Sequence, residues 1–547
     1  MFSMHSAMDW SGVLTSENCM ECTCIRHTEL PNTSKLFADF VYHFDRVSSY
    51  YAHSPFDPAA YAVSAAQIHM PDDRREALVR ALRIQNGDSE SLRRLARPGT
   101  VAVVTGQQVG LFSGPAYTIY KALTAVKLAR ELTANGVEAV PIFWLATEDH
   151  DFAEVNQFWT FDSSHQAIEL KASGYDPAAI AGRPAGEVAV EGYPTEALRR
   201  SLQGFPFGED LASMVEQAYS GGATFGAAFG ALLKRVLPSY ELLHVDPMLP
   251  AIRELAAPTV RAALEHAPEL TAALLARNQQ LIDAGYHAQV HVEDHTSLVF
   301  LLEGGRRIAL KRKGAEYVTN GKRYSTEELI ARASTLSPNA LLRPVAQDTI
   351  LPTVAYIGGP AELAYLAQSE VIYSRVLGRM PVAVPRSGFT LFDQRSAKLM
   401  ERYRLHLTDF LAGEENLRER VACTLIPPPL GRVMDDAKTS TDKAIERLTT
   451  ALAAFDPTLA AAMEKNRKKI DHQLSKMEHK IRREMLLRDD RASRDAAYLC
   501  GLIYPQKHLQ ERLYSIVPFL ARHGVDLVDR IYENIQLDCP DHRLLTV

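Results

Sequence analysis

A chain of 547 residues is well beyond the ~250 to 300 at which a single core stops growing, so two or more structural units are expected. Its 60 basic and 66 acidic residues leave a net charge of -6, which offers nucleic acid no overall basic field, while 46% hydrophobic residues are ample for real cores. Six cysteines are too few for a disulfide framework, no charged start leads into an apolar signal core, and no stretch reads as a spanning helix; a soluble cytoplasmic protein with reduced thiols is expected, partnered by neither membrane nor nucleic acid.

Residues 1–29 read as an N-terminal extension without fixed structure. Within it "CMECTC" sets Cys19, Cys22 and Cys24 together as thiolates that zinc could use, but no fourth ligand follows at the usual spacing, so no metal site is assigned. Residues 30–162 form the first part of an α/β core. "TVAVVTG" is a short β-branched run ending in glycine, the form of a buried parallel strand. Pro115 then sits where a first helical turn tolerates it, Ile119, Leu123 and Val126 give an apolar stripe, and Gly136 in "ANG" suits a left-handed helix end. "EAVPIFWLA" is the next strand, closed by "TEDHD"; strand, helix and strand in this order make a βαβ unit.

Residues 163–225 are a connecting insertion, and 226–265 return to the core with the strand "YELLHVDP" and a helix. Residues 266–345 form a second insertion, whose "EGG" and "TNGK" turns mark antiparallel hairpins. Residues 346–392 repeat the first plan: strand "TVAYIGG", a helix through "PAELAYLAQSEVIYSRVL", then "MPVAVPRSG". Both helices open with Gly-Pro-Ala, at Gly114 and at Gly359. From 393 to 503 the apolar spacing of Met463, Ile470, Leu474, Met477 and Ile481 among charged residues argues for a helical coiled coil, and 504–547 return to the core.

Ligands of an open parallel sheet bind beyond the C-terminal strand ends. Two consecutive strands therefore bring "TGQQVGLFSGP" and "TEDHD" to one edge. The run from Pro98 to Tyr120 carries no charge, and its glycines and helix start suit the binding of phosphate or carboxylate by backbone N–H groups. Thr105, Gly106, Gln107, Gln108, Ser113, Gly114, Tyr117, Thr118 and Tyr120 are its candidate binding residues. The charged chemistry falls to Glu148, Asp149, His150 and Asp151, for binding an amine, ribose or metal ion or for moving protons. Each part has a plainer reading: the glycines make tight turns, Thr147 or Asp151 caps a helix, and Tyr117 and Tyr120 are core aromatics. Lys121 reaches either a phosphate or solvent. The second unit adds Gly358, Gly359 and Glu362 at its helix start, and Arg386 as an anion clamp or a surface arginine. In "HVEDH", strand alternation splits His291, Glu293, Asp294 and His295 between two faces, which disfavours a metal site.

The arrangement is similar to the nucleotide-binding half of class I aminoacyl-tRNA synthetases and nucleotidylyltransferases. "GPAYTIYK" stands where those enzymes carry His-x-Gly-His, with neither histidine, and no Lys-Met-Ser-Lys-Ser counterpart is found. More specifically, "LPNTSKLFADF", "VTGQQVGLFSGPAYTIYKALTAVKLA", "PIFWLATEDHDFAEVN", "ILPTVAYIGGPAELAYLAQSEVIY", "VPRSGFTL" and "LQERLYSIVPFLARHG" resemble the bacillithiol-biosynthesis cysteine-adding enzymes, in family order from Leu30 onward. That resemblance implies a Rossmann-like parallel-sheet core with inserted connecting segments, a long α-helical coiled coil and a homodimer. It implies amide formation between the cysteine carboxylate and the amine of glucosaminyl-malate. Because a carboxylate needs activation, ATP with Mg2+ is the expected cofactor. On this reading the Thr105 to Tyr117 loop binds nucleotide or malate, Glu148, Asp149 and His150 orient amine or ribose, and Lys121 and Arg386 steady negative charge. Some family members carry His at the position of Tyr120, so no catalytic base is placed there. The alternatives are nucleotidylyl transfer to another acceptor and a nucleotide-sensing coiled-coil scaffold.

Overall fold

Five short apolar runs, each nearly devoid of solvent exposure, form one parallel sheet. The computed structural model describes residues 23–220, 222–319 and 321–547. Across the sheet the strands lie in the order Val382–Pro385, Thr353–Gly358, Val101–Gln107, Ala139–Leu145 and Leu243–Val245, and every neighbouring pair is parallel. Strands buried on both faces need continuous rather than alternating hydrophobicity, as "VAVV" and "VPIFWL" supply. The first of these five in the chain is central, later strands are added on one side and then on the other, and the order reverses between Val101–Gln107 and Thr353–Gly358. Such a reversal opens a crevice at the C-terminal strand ends.

The expected helix runs from Tyr117 to Ala134 with Ile119, Leu123 and Val126 in the core, and it stops before Gly136, whose φ is +89°. The second insertion is a five-stranded antiparallel sheet, ordered Lys322–Ser325, Glu316–Thr319, Arg306–Lys313, Thr296–Glu303 and Leu336–Pro338. Helix Pro360–Ile372 follows the Thr353–Gly358 strand, as expected.

Two expectations are corrected. The extension does not run unstructured to residue 29: Thr23–Ile25 pairs antiparallel with His542–Leu544, and His542–Thr546 also pairs in parallel with Phe389–Phe392. Pairing satisfies backbone groups that a free segment would leave to water. Cys24 lies on that strand, whereas Cys19 and Cys22 lie outside the described residues. Within 393–503, only helices Pro428–Phe455 and Pro457–Arg488 form a protruding hairpin, folded at Asp456, whose side chain accepts from the Thr458 N–H. The helices before and after it bury Leu399, Phe410, Leu417, Val421, Ala496 and Leu499 in the main core. Among the described residues no helix is long and apolar enough to cross a membrane.

Candidate active site

A cavity of about 400 Å3 opens where the strand order reverses, within the ~300 to 1,000 Å3 typical of small-molecule sites. Its floor is made by Gly106 and Gln107 from the central strand end, Trp144 from the next strand and Tyr356 from the other neighbour. Gly106 is required for this approach, because a Cβ there would lie 2.8 Å from the Trp144 carbonyl oxygen.

Lys121 lies one turn into its helix, but it points into the sheet edge and its side chain is 1% exposed. Its Nζ is 2.6 Å from Glu362 Oε2 and 3.2 Å from Gln107 Oε1, and it also donates to the Gly106 carbonyl. Glu362 in turn accepts from the Gly359 N–H at 2.8 Å and from Tyr356 Oη at 2.7 Å. Burial pushes Lys121 below the usual lysine range against the pull of Glu362. Burial would raise Glu362, but the Lys121 charge and these hydrogen bonds outweigh it and hold the carboxyl below its ordinary value. A buried pair with its remaining donors and acceptors filled is a fixed element. Arg386 is likewise paired: its guanidinium meets both oxygens of Glu511 at 3.0 and 2.5 Å and lies 5.2 Å from the centre of the Tyr117 ring. Burial works to raise Glu511, yet the Arg386 charge prevails and holds it at about 2.

The "TEDHD" segment divides its labour. Glu148 lines the cavity, hydrogen-bonds Ser337, and is pushed above the usual carboxylate range by burial despite Arg253 and Arg307. For Asp149 burial acts upward, but hydrogen bonds from Gln108 and the Asp151 N–H, with the Arg307 charge, bring it below the usual value. Gln108 Nε2 donates to Asp149 at 2.7 Å and to Glu154 at 2.8 Å, so these two carboxylates converge on one amide. His150 is off the cavity wall; its Nδ1 accepts from Arg307 at 3.2 Å, and burial with that positive neighbour lowers it, favouring the neutral ring. Asp151 takes the plainer reading, capping the four-residue helix Phe152–Val155 by accepting from the Glu154 N–H.

The loop after the central strand is corrected more deeply. Three of its N–H groups are occupied: Phe112 donates to Tyr219 Oη at 2.8 Å, Gly114 to the Leu111 carbonyl at 3.0 Å and Ala116 to the Tyr514 carbonyl at 2.7 Å. Phe112, Ser113 and Gly114 all have positive φ, at 49°, 78° and 63°, a costly conformation for the first two that close packing sustains. Ser113 meets Ser515 at 3.1 Å, and Thr105 donates to the Ile357 carbonyl. Thr118 and Tyr120 are fully buried, the latter edge-on to Phe389. Thr105, Ser113, Gly114, Thr118, Tyr120, Gly358, His150 and Asp151 are therefore not among the cavity-lining residues. Gly106, Gln107, Gln108, Tyr117, Lys121, Glu148, Asp149, Gly359, Glu362 and Arg386 are. His291 and His295 pair with Glu293 at 3.3 and 3.0 Å in a loop beside Asp294, before the hairpin sheet. No group of three or more metal-binding side chains occurs among the described residues.

Sequence reasoning missed Trp144, Glu154, Arg307, Asn339, Arg343, Tyr356, Tyr365 and Arg512, all of which line the cavity. Arg307 sits in the "EGGRR" hairpin, Arg343 opens the helix Arg343–Ile350, and Arg512 follows the buried Glu511. Tyr356 and Tyr365 carried a detectable signal, since one is in and the other just beyond the strand already placed at the ligand edge. The arginines carried none locally.

Residues 20–387 match the family model described as "Bacillithiol biosynthesis BshC, N-terminal Rossmann-like domain", and residues 389–547 match "Bacillithiol biosynthesis BshC, C-terminal coiled-coil domain". The chain is 57% identical over 530 residues to a Solibacter usitatus protein named "Putative cysteine ligase BshC", covering 96% of this chain and 100% of the relative. Proteins of the same name from Koribacter versatilis and Symbiobacterium thermophilum are 36% and 30% identical, covering 96% and 90% of this chain and 99% and 91% of theirs.

Proposed function

The chain belongs to the bacillithiol biosynthesis BshC family, and from that premise we propose that it is a cysteine ligase joining the cysteine carboxylate to the amine of glucosaminyl-malate. The observation that carries this reading is the cavity at the sheet's switch point, where a buried Lys121–Glu362 pair, Arg386 and Glu148 face one small-molecule volume. Condensing a carboxylate with an amine in water requires activation, for which we propose ATP with Mg2+. The donor set fits: at the start of helix Pro360–Ile372, where the Gly359 N–H is taken by Glu362 and Pro360 has none, the Ala361 N–H together with Arg386 would hold phosphate oxygens. Asp149 and Glu154, close enough to share Gln108, would supply the one or two carboxylates that Mg2+ needs beside phosphates. When bound, the nucleotide supplies the activation that a free carboxylate lacks.

The remaining work falls to the chain's own side chains. Glu148, its basicity raised by burial, takes the proton the amine loses as the carbon–nitrogen bond forms. Lys121 and Arg386, already fixed by Glu362 and Glu511, steady negative charge on the carbonyl oxygen without reorganising. Trp144, Tyr356 and Tyr365 restrict water.

A cytoplasmic homodimer completes the proposal. Helix Pro428–Phe455 buries only Ile445, while Val433, Leu448, Phe455, Met477 and Leu487 of the hairpin are exposed, as a second copy would use. Purified full-length protein incubated with cysteine, glucosaminyl-malate, ATP and Mg2+ is expected to release a product of the mass of bacillithiol. No product, together with unchanged bacillithiol in cells lacking the protein, would sink the ligase reading. Light scattering checks the dimer, and replacing Val433 and Phe455 by Glu is expected to shift it to a monomer.

A further inference from the structure

The cations of the cavity are not equivalent. Lys121 and Arg386 each meet a carboxylate of the protein, Glu362 and Glu511. Arg343 and Arg307 do not, and among the described residues their hydrogen-bond partners are all neutral. Arg343 donates to Gln347 Oε1 at 3.1 Å, to Tyr365 Oη at 2.6 Å and to Tyr356 Oη at 3.5 Å. Since Tyr356 gives its own proton to Glu362, its oxygen is left to accept. Arg307 donates to Ser337 Oγ at 3.0 Å, the Pro338 carbonyl at 2.8 Å and His150 Nδ1 at 3.2 Å, with its guanidinium carbon 4.0 Å from the centre of the Phe300 ring.

Both guanidinium groups are half-buried, line the cavity, and come from one stretch of the second insertion that also lines it with Pro338, Asn339 and Ala340. A guanidinium carries five N–H donors. Each of these two has placed three, which fixes its plane while leaving donors over; carboxylates act on their charges only without contact, Glu148 and Asp149 on Arg307 and Glu362 on Arg343. Holding a cation partly out of water with no carboxylate in contact is unfavourable unless an anion meets it when the site is filled. Elsewhere in the same cavity the protein supplies that anion itself.

We infer that Arg343 and Arg307 form an oxyanion subsite of the cavity, and that it takes a carboxylate of the malyl part of the amine substrate. This rests on the ligase reading for the identity of the ligand. The shared chemistry is that of a planar fork receiving a carboxylate or a phosphate. On the proposed reading phosphate is held at Ala361 and Arg386, so the carboxylate is assigned here. The second insertion then does more than brace the core: it is the part that recognises the acidic half of the substrate.

The test is calorimetric titration of the full-length protein with malate and, separately, with Mg·ADP, comparing wild type with Arg343→Gln, Arg307→Gln and the surface control Arg395→Gln. Malate is expected to bind wild type and the control alike, and to weaken about tenfold or more in each cavity variant, while ADP affinity stays within about twofold. Arg343→Lys, which keeps charge but not the fork, should fall between wild type and Arg343→Gln, with thermal unfolding confirming the fold of each protein. Equal malate affinity in wild type and Arg343→Gln overturns the assignment, as does absence of malate binding to wild type. Loss of ADP binding with malate retained overturns the carboxylate in favour of phosphate. Because neither titration needs turnover, the subsite and the ligase activity can fail separately.

Discussion

Gly114-Pro115-Ala116 and Gly359-Pro360-Ala361 open helices after adjacent strands of one sheet, yet they serve opposite ends. At the first, Gly114 has φ +63°, and Tyr514 and Ser515 lie over the loop, with the Tyr514 carbonyl taking the Ala116 N–H and Ser515 bonding Ser113 and the Phe112 carbonyl. At the second, Gly359 has φ −82°, and Gly359, Pro360 and Ala361 all line the cavity. Proline in the first turn pre-sets the backbone in both cases. Whether the helix start is then open to a ligand is decided by what the rest of the chain lays on it. The same tripeptide is a structural knot in one place and a cavity wall in the other.

The largest effect should come from the carboxylate that organises the open start. Glu362→Ala strands Lys121 without its counter-charge and is expected to cost about 3 to 5 kcal/mol in urea unfolding, with Lys121→Met on top recovering part of the loss. A cost below about 1 kcal/mol would mean that the pair does not hold the site together. Next comes Glu511, in the segment that closes the other start. Its folded value of about 2 against an ordinary 4.5 means that its contribution is full above pH 4.5 and is lost as pH falls toward 2, about 3 kcal/mol in all. Unfolding free energies from pH 5 down to 2.5 should therefore fall more steeply in wild type than in Glu511→Gln; parallel curves would remove Glu511 from the account.

Smaller effects compare the glycines directly. Gly114→Ala forces a side chain into the left-handed region and is expected to cost about 1 to 2 kcal/mol. Gly359→Ala should change stability by no more than about 0.5 kcal/mol, since φ is ordinary and the new Cβ would meet Glu362 Oε2 at 3.5 Å and Arg386 Nε at 3.7 Å. On the proposed ATP-dependent reading it should instead raise the KM for ATP, because the methyl group intrudes on the wall. Equal stability losses in the two variants would erase the distinction.

Much of the framework was legible because it rests on local signals. The strands around Val101–Gln107, Ala139–Leu145 and Thr353–Gly358 are runs of β-branched and apolar residues closed by glycine or polar groups. Their parallel order follows from the helices between them. Lys121, Glu148, Asp149, Glu362 and Arg386 could be placed at one edge by topology alone. Topology could not say that Lys121 and Arg386 already have partners, because Glu362 and Glu511 lie 241 and 125 residues away. Nor could it assign Arg307 and Arg343 to the wall, since they arrive with an inserted sheet whose docking depends on packing. The glycines and polar side chains of the uncharged loop suit either role: Gly106, Gln107, Gln108 and Tyr117 face the cavity, while Phe112 to Ala116 are packed under Tyr514 and Ser515.

The strand His542–Thr546, held between Thr23–Ile25 and Phe389–Phe392, also has a consequence in time. On a ribosome making about 5 to 20 residues per second, its synthesis trails that of the Phe389–Phe392 strand by roughly 10 to 30 seconds. During that interval Phe389–Phe392 lacks its partner, and until Glu511 has emerged Arg386 has no counter-charge. The nascent chain must wait with an open strand edge beside its Rossmann-like domain and an unanswered cation, a state in which a chaperone has most to protect.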